Sequence, residues 1–412
     1  MRRPLYGWLT AEAISLTGTR ISMIALPLFA LEQTGSATRT GLVALFEMLP
    51  LVLFKVLGGP VIDRVGARRV AITCDVGSLF VVASIPLLHD AGVLPFGAFL
   101  ALVACAGALR GPGDGAKHAL VPALVESAGV PMERATGLAS TVERTASMLG
   151  AGLAGLLVAT LGAQNALALD AASFGLSAAV LAWATVGLGV PEPEAGDPAP
   201  YAEQLREGWA FLRHDPLLLG IAAMVAVTNL LDLAWAAVLM PVWALESGEG
   251  AATLGLLFAV FSGASAVGAI CAAAWAARLP RFKTYLFAFL LCGLPRFAVF
   301  ALDVPLAGII AVFVVGGFSS GFINPVLGAV IFERIPARLV GRVSSLTTAM
   351  CFALMPLGGL LGGLLVDGGG LAFAMGAVGV AYFAATMLPA VDPRWRAMDD
   401  RPATAEPEPA VS

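Results

Sequence analysis

Residues 58–69 read Gly-Gly-Pro-Val-Ile-Asp63-Arg64-Val-Gly66-Ala-Arg68-Arg69. Gly58, Gly59 and Gly66 permit tight turns and close backbone approach. Asp63 sets one acid beside three arginines, and on either side the chain passes at once into long apolar runs. A short, basic, glycine-punctuated segment between two apolar stretches of about twenty residues is what joins two membrane-crossing helices on the side that retains positive charge.

The rest of the chain fits that reading. Of 412 residues, 58% are hydrophobic and only 13% charged, with a mean hydropathy of +0.88. Soluble domains lie nearer 45–50% apolar and about 25% charged; hydrocarbon as solvent removes the need for more polar surface. Apolar stretches long enough to cross a bilayer recur at 5–31, 40–59, 70–88, 96–111, 137–161 and 166–190, and again at 217–243, 253–277, 285–302, 306–332, 344–366 and 371–388. Twelve transmembrane helices follow, as an all-α integral membrane fold. Between the sixes, residues 191–200 (PEPEAGDPAP) are an acidic, proline-rich linker. Residues 201–214 then carry Leu205, Trp209 and Leu212 at helical spacing, which predicts a short amphipathic helix on the membrane surface. The expected organisation is a six-helix bundle over 1–190, a linker with its surface helix over 191–216, a second bundle over 217–392, and a polar, proline-rich disordered tail over 393–412. Arg2 and Arg3 precede a long apolar run, but no small-residue cleavage site follows, so the run reads as a retained first helix.

Charge placement tests this arrangement independently. With the N-terminus in the cytoplasm and the sides alternating, 18 of the 24 basic residues fall on cytoplasmic segments and Arg39 alone outside. The positive-inside rule demands such a bias, and places both termini in the cytoplasm. The same reasoning predicts a multi-pass protein of a bacterial cytoplasmic membrane, since only three of the 24 basic residues are lysine and Ala and Gly abound. No basic surplus suggests nucleic acid; the net charge is −4. Cys74, Cys105, Cys271, Cys292 and Cys351 form no C-x-x-C spacing, and His89, His118 and His214 lie at or near loops. No metal, cofactor or catalytic constellation is expected, so the chain does not read as an enzyme.

The two halves echo each other. Arg134-Ala-Thr-Gly-Leu leads into Gly150-Ala-Gly-Leu-Ala-Gly155-Leu-Leu-Val, and Arg342-Val-Ser-Ser-Leu, offset by 208 residues, leads into Gly358-Gly-Leu-Leu-Gly-Gly363-Leu-Leu-Val. The segment at 58–69 has a counterpart at 272–283, with Arg64 matching Arg278 and Arg69 matching Lys283. One six-helix unit used twice in the same orientation places a substrate site between the halves, near the midplane.

The segment at 58–69, in this position of a twelve-span chain, resembles the loop between helices 2 and 3 of the major facilitator superfamily, G-x-x-x-D-R-x-G-R-R. Thr34-Gly-Ser-Ala37 before helix 2 is similar to the drug, macrolide and siderophore exporters of that family. The resemblance covers about residues 5–388. It implies a gating role for Gly59, Asp63, Arg64, Gly66, Arg68 and Arg69: with the protein open to the outside, Asp63 would face the N-terminus of helix 11, near Ser344 and Ser345, and Arg64 and Arg68 would pair with Asp114. This sequence departs from the family in three places. Ala151 stands where antiporters of this kind carry proline, Ala277 stands where a second Asp would lie, and Arg20 follows Thr19 where many relatives carry an acid.

Charged groups inside spans cost roughly 2.5–3.5 kcal/mol each at mid-bilayer and so need a reason. Asp75, just inside helix 3, reads as a structural partner for the basic segment at 58–69, and Asp170 as structural; Lys55 and Arg110 read as snorkelling near helix ends, and Arg296 as structural. The candidates for substrate contact or proton coupling are Arg20, Glu47, Glu143, Arg144 and Asp232, the last sharing its helix face with Asn229 and Trp235. Glu143 and Arg144 are adjacent and point about 100° apart, so they do not simply pair with each other. Helices 1, 4, 7 and 10 surround the cavity in the family, with 2 and 5 close by. Asp232 ranks first for coupling, because a carboxylate in low dielectric can load and release a proton near neutral pH; with Arg20 close by it would instead be a fixed ion-pair member. The expected function is secondary active export of an amphipathic small molecule against protons, by a monomer in the lipid bilayer. An importer or uniporter on the same fold, or a sensor that binds without transporting, remain the alternatives.

Overall fold

The structure is a computed structural model that describes residues 3–188, 201–275, 278–302, 304–336 and 339–400. Its first half holds α1 (Arg3–Thr34), α2 (Ala37–Leu57), the short α3 (Gly59–Val65), α4 (Ala67–Asp90), α5 (Phe96–Ala119), α6 (Val121–Ala128), α7 (Met132–Leu161) and α8 (Ala163–Ala184). After α9 (Tyr201–Leu212), the second half holds α10 (Pro216–Ala234), a π-helical turn (Trp235–Leu239), α11 (Met240–Glu246), α12 (Gly250–Trp275), α13 (Arg281–Cys292) and α14 (Leu294–Ala301). It closes with α15 (Leu306–Ser320), α16 (Ile323–Arg334), α17 (Val340–Ala353) and α18 (Leu357–Met387). Eleven helical stretches among the described residues are long and apolar enough to cross a membrane, so the chain is a multi-pass membrane protein. The last stretch, Arg342–Ala390, spans 49 residues. It is interrupted inside α18 at Gly370, whose φ of 80° and ψ of 169° no right-handed helix contains.

The helices are apolar on both faces. Leu53, Phe80, Leu87, Trp183, Ile270, Phe287 and Val380 stand exposed while Leu28, Leu124, Leu167 and Phe313 are fully buried. In water that exterior would drive aggregation; in a bilayer it faces acyl chains. α1 packs along α7 and α8, and α4 along α5 and α8, within the first half; α10, α14 and α13 pack on α18 in the second.

Two boundaries differ from the sequence reading. The fourth apolar stretch does not stop at 111: α5 runs to Ala119 through Gly111-Pro-Gly-Asp-Gly115. The glycines there are a packing face, not a stop. A Cβ at Gly107 would lie 2.1 Å from the Glu47 carbonyl oxygen and one at Gly111 2.6 Å from that of Leu51, so α5 presses backbone to backbone on α2. Near the C-terminus, Pro393–Met398 form a 3₁₀ turn with Trp395 and Met398 buried, Trp395 lying against Tyr285 and Gly220. Order therefore reaches further than the expected tail boundary at 393; residues 401–412, like the linker at 189–200, lie outside the described residues. Helix α9 forms, but it docks on the second half: Leu212 is fully buried with Leu218, Ile335, Leu339 and Val343, Glu207 pairs with Arg342, and Trp209 remains exposed.

We call the end of the bundle that carries residues 58–69 the motif end, and the other the far end. Contacts between the halves run from mid-height to the far end. α2 crosses α18 where Gly41 meets Gly359, and α7 crosses α12 where Gly155 meets Gly255, at separations that leave no room for a Cβ. At the motif end α3 packs on α2, α4 and α5 of its own half.

Candidate functional site

Between the halves, at mid-height, lies a cavity of about 100 Å³. α1 contributes Arg20, Met23 and Pro27, α2 contributes Glu47 and Met48, α7 contributes Ser147 and Ala151, and the second half contributes Leu233, Ala236 and Phe258. Its wall is apolar apart from one cation, one acid and two hydroxyls, those of Ser147 and Ser262. Flexible Met side chains beside an aromatic ring adapt to ligands of varied shape.

Of the sequence candidates, Arg20 and Glu47 both reach this cavity, but not each other as partners. Arg20 donates from Nη2 to Ser147 Oγ at 2.7 Å and from Nη1 toward the Met23 sulfur at 3.3 Å, leaving its Nε buried without a partner. Glu47 is held by Arg110, Nη1 to Oε1 2.7 Å, with both side chains about nine-tenths buried. The reading of Arg110 as a snorkelling end residue is thus corrected. Because α5 continues to Ala119, Arg110 sits well inside the helix and turns to the acid of α2. Glu143 and Arg144 are exposed on α7; Glu143 is the carboxylate whose charge acts most on Arg20, and Arg144 makes no ion pair among the described residues.

Asp232 is paired with Arg296, not with Arg20. Arg296 is buried and lies over the rings of Trp235, Phe297 and Tyr382 at 4.7–5.0 Å, while the Asp232 side chain keeps 40% of its surface accessible. Asn229 donates to the Cys351 carbonyl at 2.9 Å, tying α10 to α17. Trp235 is buried among Phe258, Phe297 and Phe313, so it is core packing and not a cavity wall; Phe258 supplies the ring that lines the cavity. A sequence signal for the Asp232–Arg296 pair existed, since each is an uncompensated charge within a second-half span. Their distance in the chain hid it.

A second polar cluster lies nearer the motif end. Lys117, 2% exposed, pairs with Asp75 at 3.0 Å and donates to Ser15 at 2.9 Å; Ser177 donates to Asp75 at 2.7 Å and Trp8 to the Lys117 carbonyl at 3.0 Å. Glu12 lies beside it with Oε2 buried and unpartnered. Lys117 therefore belongs to the bundle interior and not to a loop, and the partner of Asp75 is this lysine in place of the arginines of the motif. Asp170 is buried, accepting from Ser22 and Ser173.

Around the motif, Gly66 ends α3 with φ 94° and starts α4. Gly59 begins α3. Arg68 donates to Thr185 Oγ1 at 2.8 Å and to the Ala182 carbonyl at 3.0 Å, satisfying the C-terminal end of α8. Asp63, Arg64 and Arg69 stand exposed, and neither Arg64 nor Arg68 pairs with Asp114. In this arrangement Arg68 is spent on α8, which is why the expected pairing with Asp114 does not form.

A profile of the Major Facilitator Superfamily matches residues 8–356 and, separately, residues 222–411. The chain belongs to that superfamily. Among curated relatives, it is similar to the "Multidrug efflux pump Tap" of Mycobacterium tuberculosis, 30% identical over 90% of this chain and 88% of that one. It is also similar to the protein of the same name from Mycolicibacterium fortuitum, 29% identical over 97% and 98%. Among solved structures, it shares its fold with the nucleoside transporter NupG (TM-score 0.72, 13% identity, 93% and 96% covered). It shares it too with a bacterial homologue of the iron transporter ferroportin in an inward-facing state (0.70, 13%, 94% and 98%). Superfamily membership places the chain among transporters, not enzymes.

Proposed function

We propose that this superfamily member exports amphipathic small molecules of drug or natural-product type across a bacterial cytoplasmic membrane, by alternating access driven by proton entry. The observation that carries the proposal is the mid-height cavity between the halves, apolar but for Arg20, Glu47, Ser147 and Ser262. The likeness to efflux pumps over nine-tenths of the chain supports it. We read Arg342–Ala390 as two crossings divided at Gly370, which makes twelve. The basic bias then sets both termini and the motif end in the cytoplasm. With inter-half contacts gathered toward the far end, the arrangement is inward-facing. A cavity of about 100 Å³ is below the roughly 300–1,000 Å³ of a drug-sized site, so substrate entry requires the halves to part further on the motif side.

Within this reading, Glu47 is the proton-exchanging acid. It faces the cavity and its partner among the described residues is Arg110 in the same half, so protonation frees a cation beside the substrate without disturbing the interface between halves. Asp232 takes the fixed role, its charge committed to Arg296. The protein acts as a monomer, the lipid bilayer and a small-molecule substrate being its partners. The test is flux of a fluorescent amphipathic cation and of a neutral analogue in proteoliposomes, with and without an imposed proton gradient. Gradient-driven accumulation supports antiport. Flux indifferent to the gradient identifies a uniporter, and binding without counterflow identifies a sensor.

A further inference from the structure

Near its far end, α18 carries Gly362-Gly363-Leu-Leu-Val366-Asp367, followed by Gly370. This reproduces the spacing of Gly58-Gly59-Pro-Val-Ile62-Asp63, followed by Gly66: two glycines, three residues, an aspartate, and a glycine three residues on. In both copies that last glycine has positive φ, 94° at Gly66 and 80° at Gly370. The copies are not related by the 208-residue repeat; one follows helix α2 and the other lies toward the far end of α18.

These two helices are partners. A Cβ on Gly363 would meet Ala37 and Thr38, and one on Gly41 would meet Gly359, so residue numbers rise along α2 as they fall along α18. The pair is antiparallel and spans the interface between the halves. Asp367 therefore sits at the end of this pair where α2 begins, and Asp63 follows the C-terminus of α2, on the side from which α17 leads into α18. At the far end the contact is made. Asp367 Oδ2 accepts from Ser36 Oγ at 3.1 Å and from the Thr38 backbone N–H at 3.0 Å. Thr38 is the second residue of α2, and its N–H is one that the helix itself leaves without a partner. The carboxylate also meets the positive end of the α2 dipole. At the motif end, Asp63 is exposed and makes no ion pair among the described residues.

We infer that Asp367 is the far-end latch of the transport cycle, the counterpart of Asp63, and that the two aspartates close in alternation opposite ends of the crossing that α2 makes with α17 and α18. The inference rests on the alternating-access reading above. Its strength suits a gate. Asp367 is exposed, so the contact biases the equilibrium only modestly, by about fivefold, as exposed charge–dipole contacts do. A latch worth several powers of ten would trap one state.

The test measures distance and needs neither substrate nor gradient. In a full-length variant with the five native cysteines replaced, spin labels at Arg39→Cys and Glu249→Cys report the far end, and labels at Glu126→Cys and Lys283→Cys report the motif end. Asp367→Ala is expected to raise the ratio of long to short far-end distances about fivefold. Ser36→Ala, which removes the hydroxyl's bond to Asp367 together with its cap on the Arg39 N–H and spares the acid, should shift it the same way by about twofold. Asp63→Asn should shift it in the opposite sense. Unchanged far-end distances in both Asp367→Ala and Ser36→Ala overturn the latch, as does a shift of either toward the short distance. A protein that shows these shifts yet carries out no drug flux keeps the latch and loses the export reading; one that exports normally with unmoved distances does the reverse.

Discussion

At the scale of single residues, the buried charges sort by what their partners permit. Glu47→Gln is expected to abolish uphill, proton-driven accumulation while exchange of substrate down its gradient continues, measured side by side in proteoliposomes. Uphill transport equal to the parent would move the coupling role elsewhere, first to Glu143. Asp232→Asn should act differently, lowering the yield of folded protein and its melting temperature, because Arg296 is left buried among three rings without its acid. Breaking a fully buried pair costs about 3–5 kcal/mol; the partial exposure of Asp232 places this one nearer the lower end. The measurement is thermal unfolding in detergent, with Asp232→Glu as the conservative control. The sequence announced that Glu47, Asp232, Arg110 and Arg296 needed explanation, because each is a charge inside an apolar run. It did not announce who meets whom. Arg20 and Asp232 looked complementary in charge and depth, but a side chain's partner depends on the rotation of each helix about its axis, and a 3.6-residue period with apolar residues on every face leaves that rotation unmarked.

At the scale of elements, α5 shows how membrane helices invert a rule learned in water. Gly111-Pro-Gly-Asp-Gly115 has the composition of a turn, and the expected helix end at 111 followed from it. In hydrocarbon, exposed backbone in a turn would lack water, so the helix continues and its glycines become the surface on which α2 rides. Spacing of Gly107 and Gly111 by four residues was the readable sign. Gly107→Ala should therefore lower the melting temperature and impair transport, since a methyl there meets the Glu47 carbonyl oxygen at 2.1 Å and pushes away the strand of backbone that carries the cavity acid. Gly97→Ala in the same helix has open space and should be neutral or slightly stabilising. Comparable loss from both variants would show that helix flexibility, and not the α2 contact, is what these glycines supply. The amphipathic pattern of α9 was legible too, but an apolar stripe does not say whether it meets lipid or protein. Leu212 meets protein.

At the scale of the whole molecule, the side on which arginines fall and a repeat offset by 208 residues support the twelve-span topology proposed above, and the multi-pass helical character was itself readable because apolar length is a property of long averages. The state of the gates was not, because the same residues serve both states. If the proposed export cycle holds, Asp63→Asn is expected to cut steady-state export severalfold at equal membrane abundance while leaving substrate binding in detergent within about twofold, since Asp63 is exposed and makes no ion pair among the described residues. Parent-like export at matched levels sinks the gating role. The ion pairs Glu47–Arg110, Asp75–Lys117 and Asp232–Arg296 each close within one half. During synthesis, then, the two buried ion pairs of the first half, Glu47–Arg110 and Asp75–Lys117, can close as soon as that half is made, with no residue of the second half needed to complete them. The insertion machinery can release that half as a finished body. Two separately translated chains, residues 1–200 and 201–412, should accordingly find each other in the membrane and together restore a measurable part of the export that neither chain performs alone.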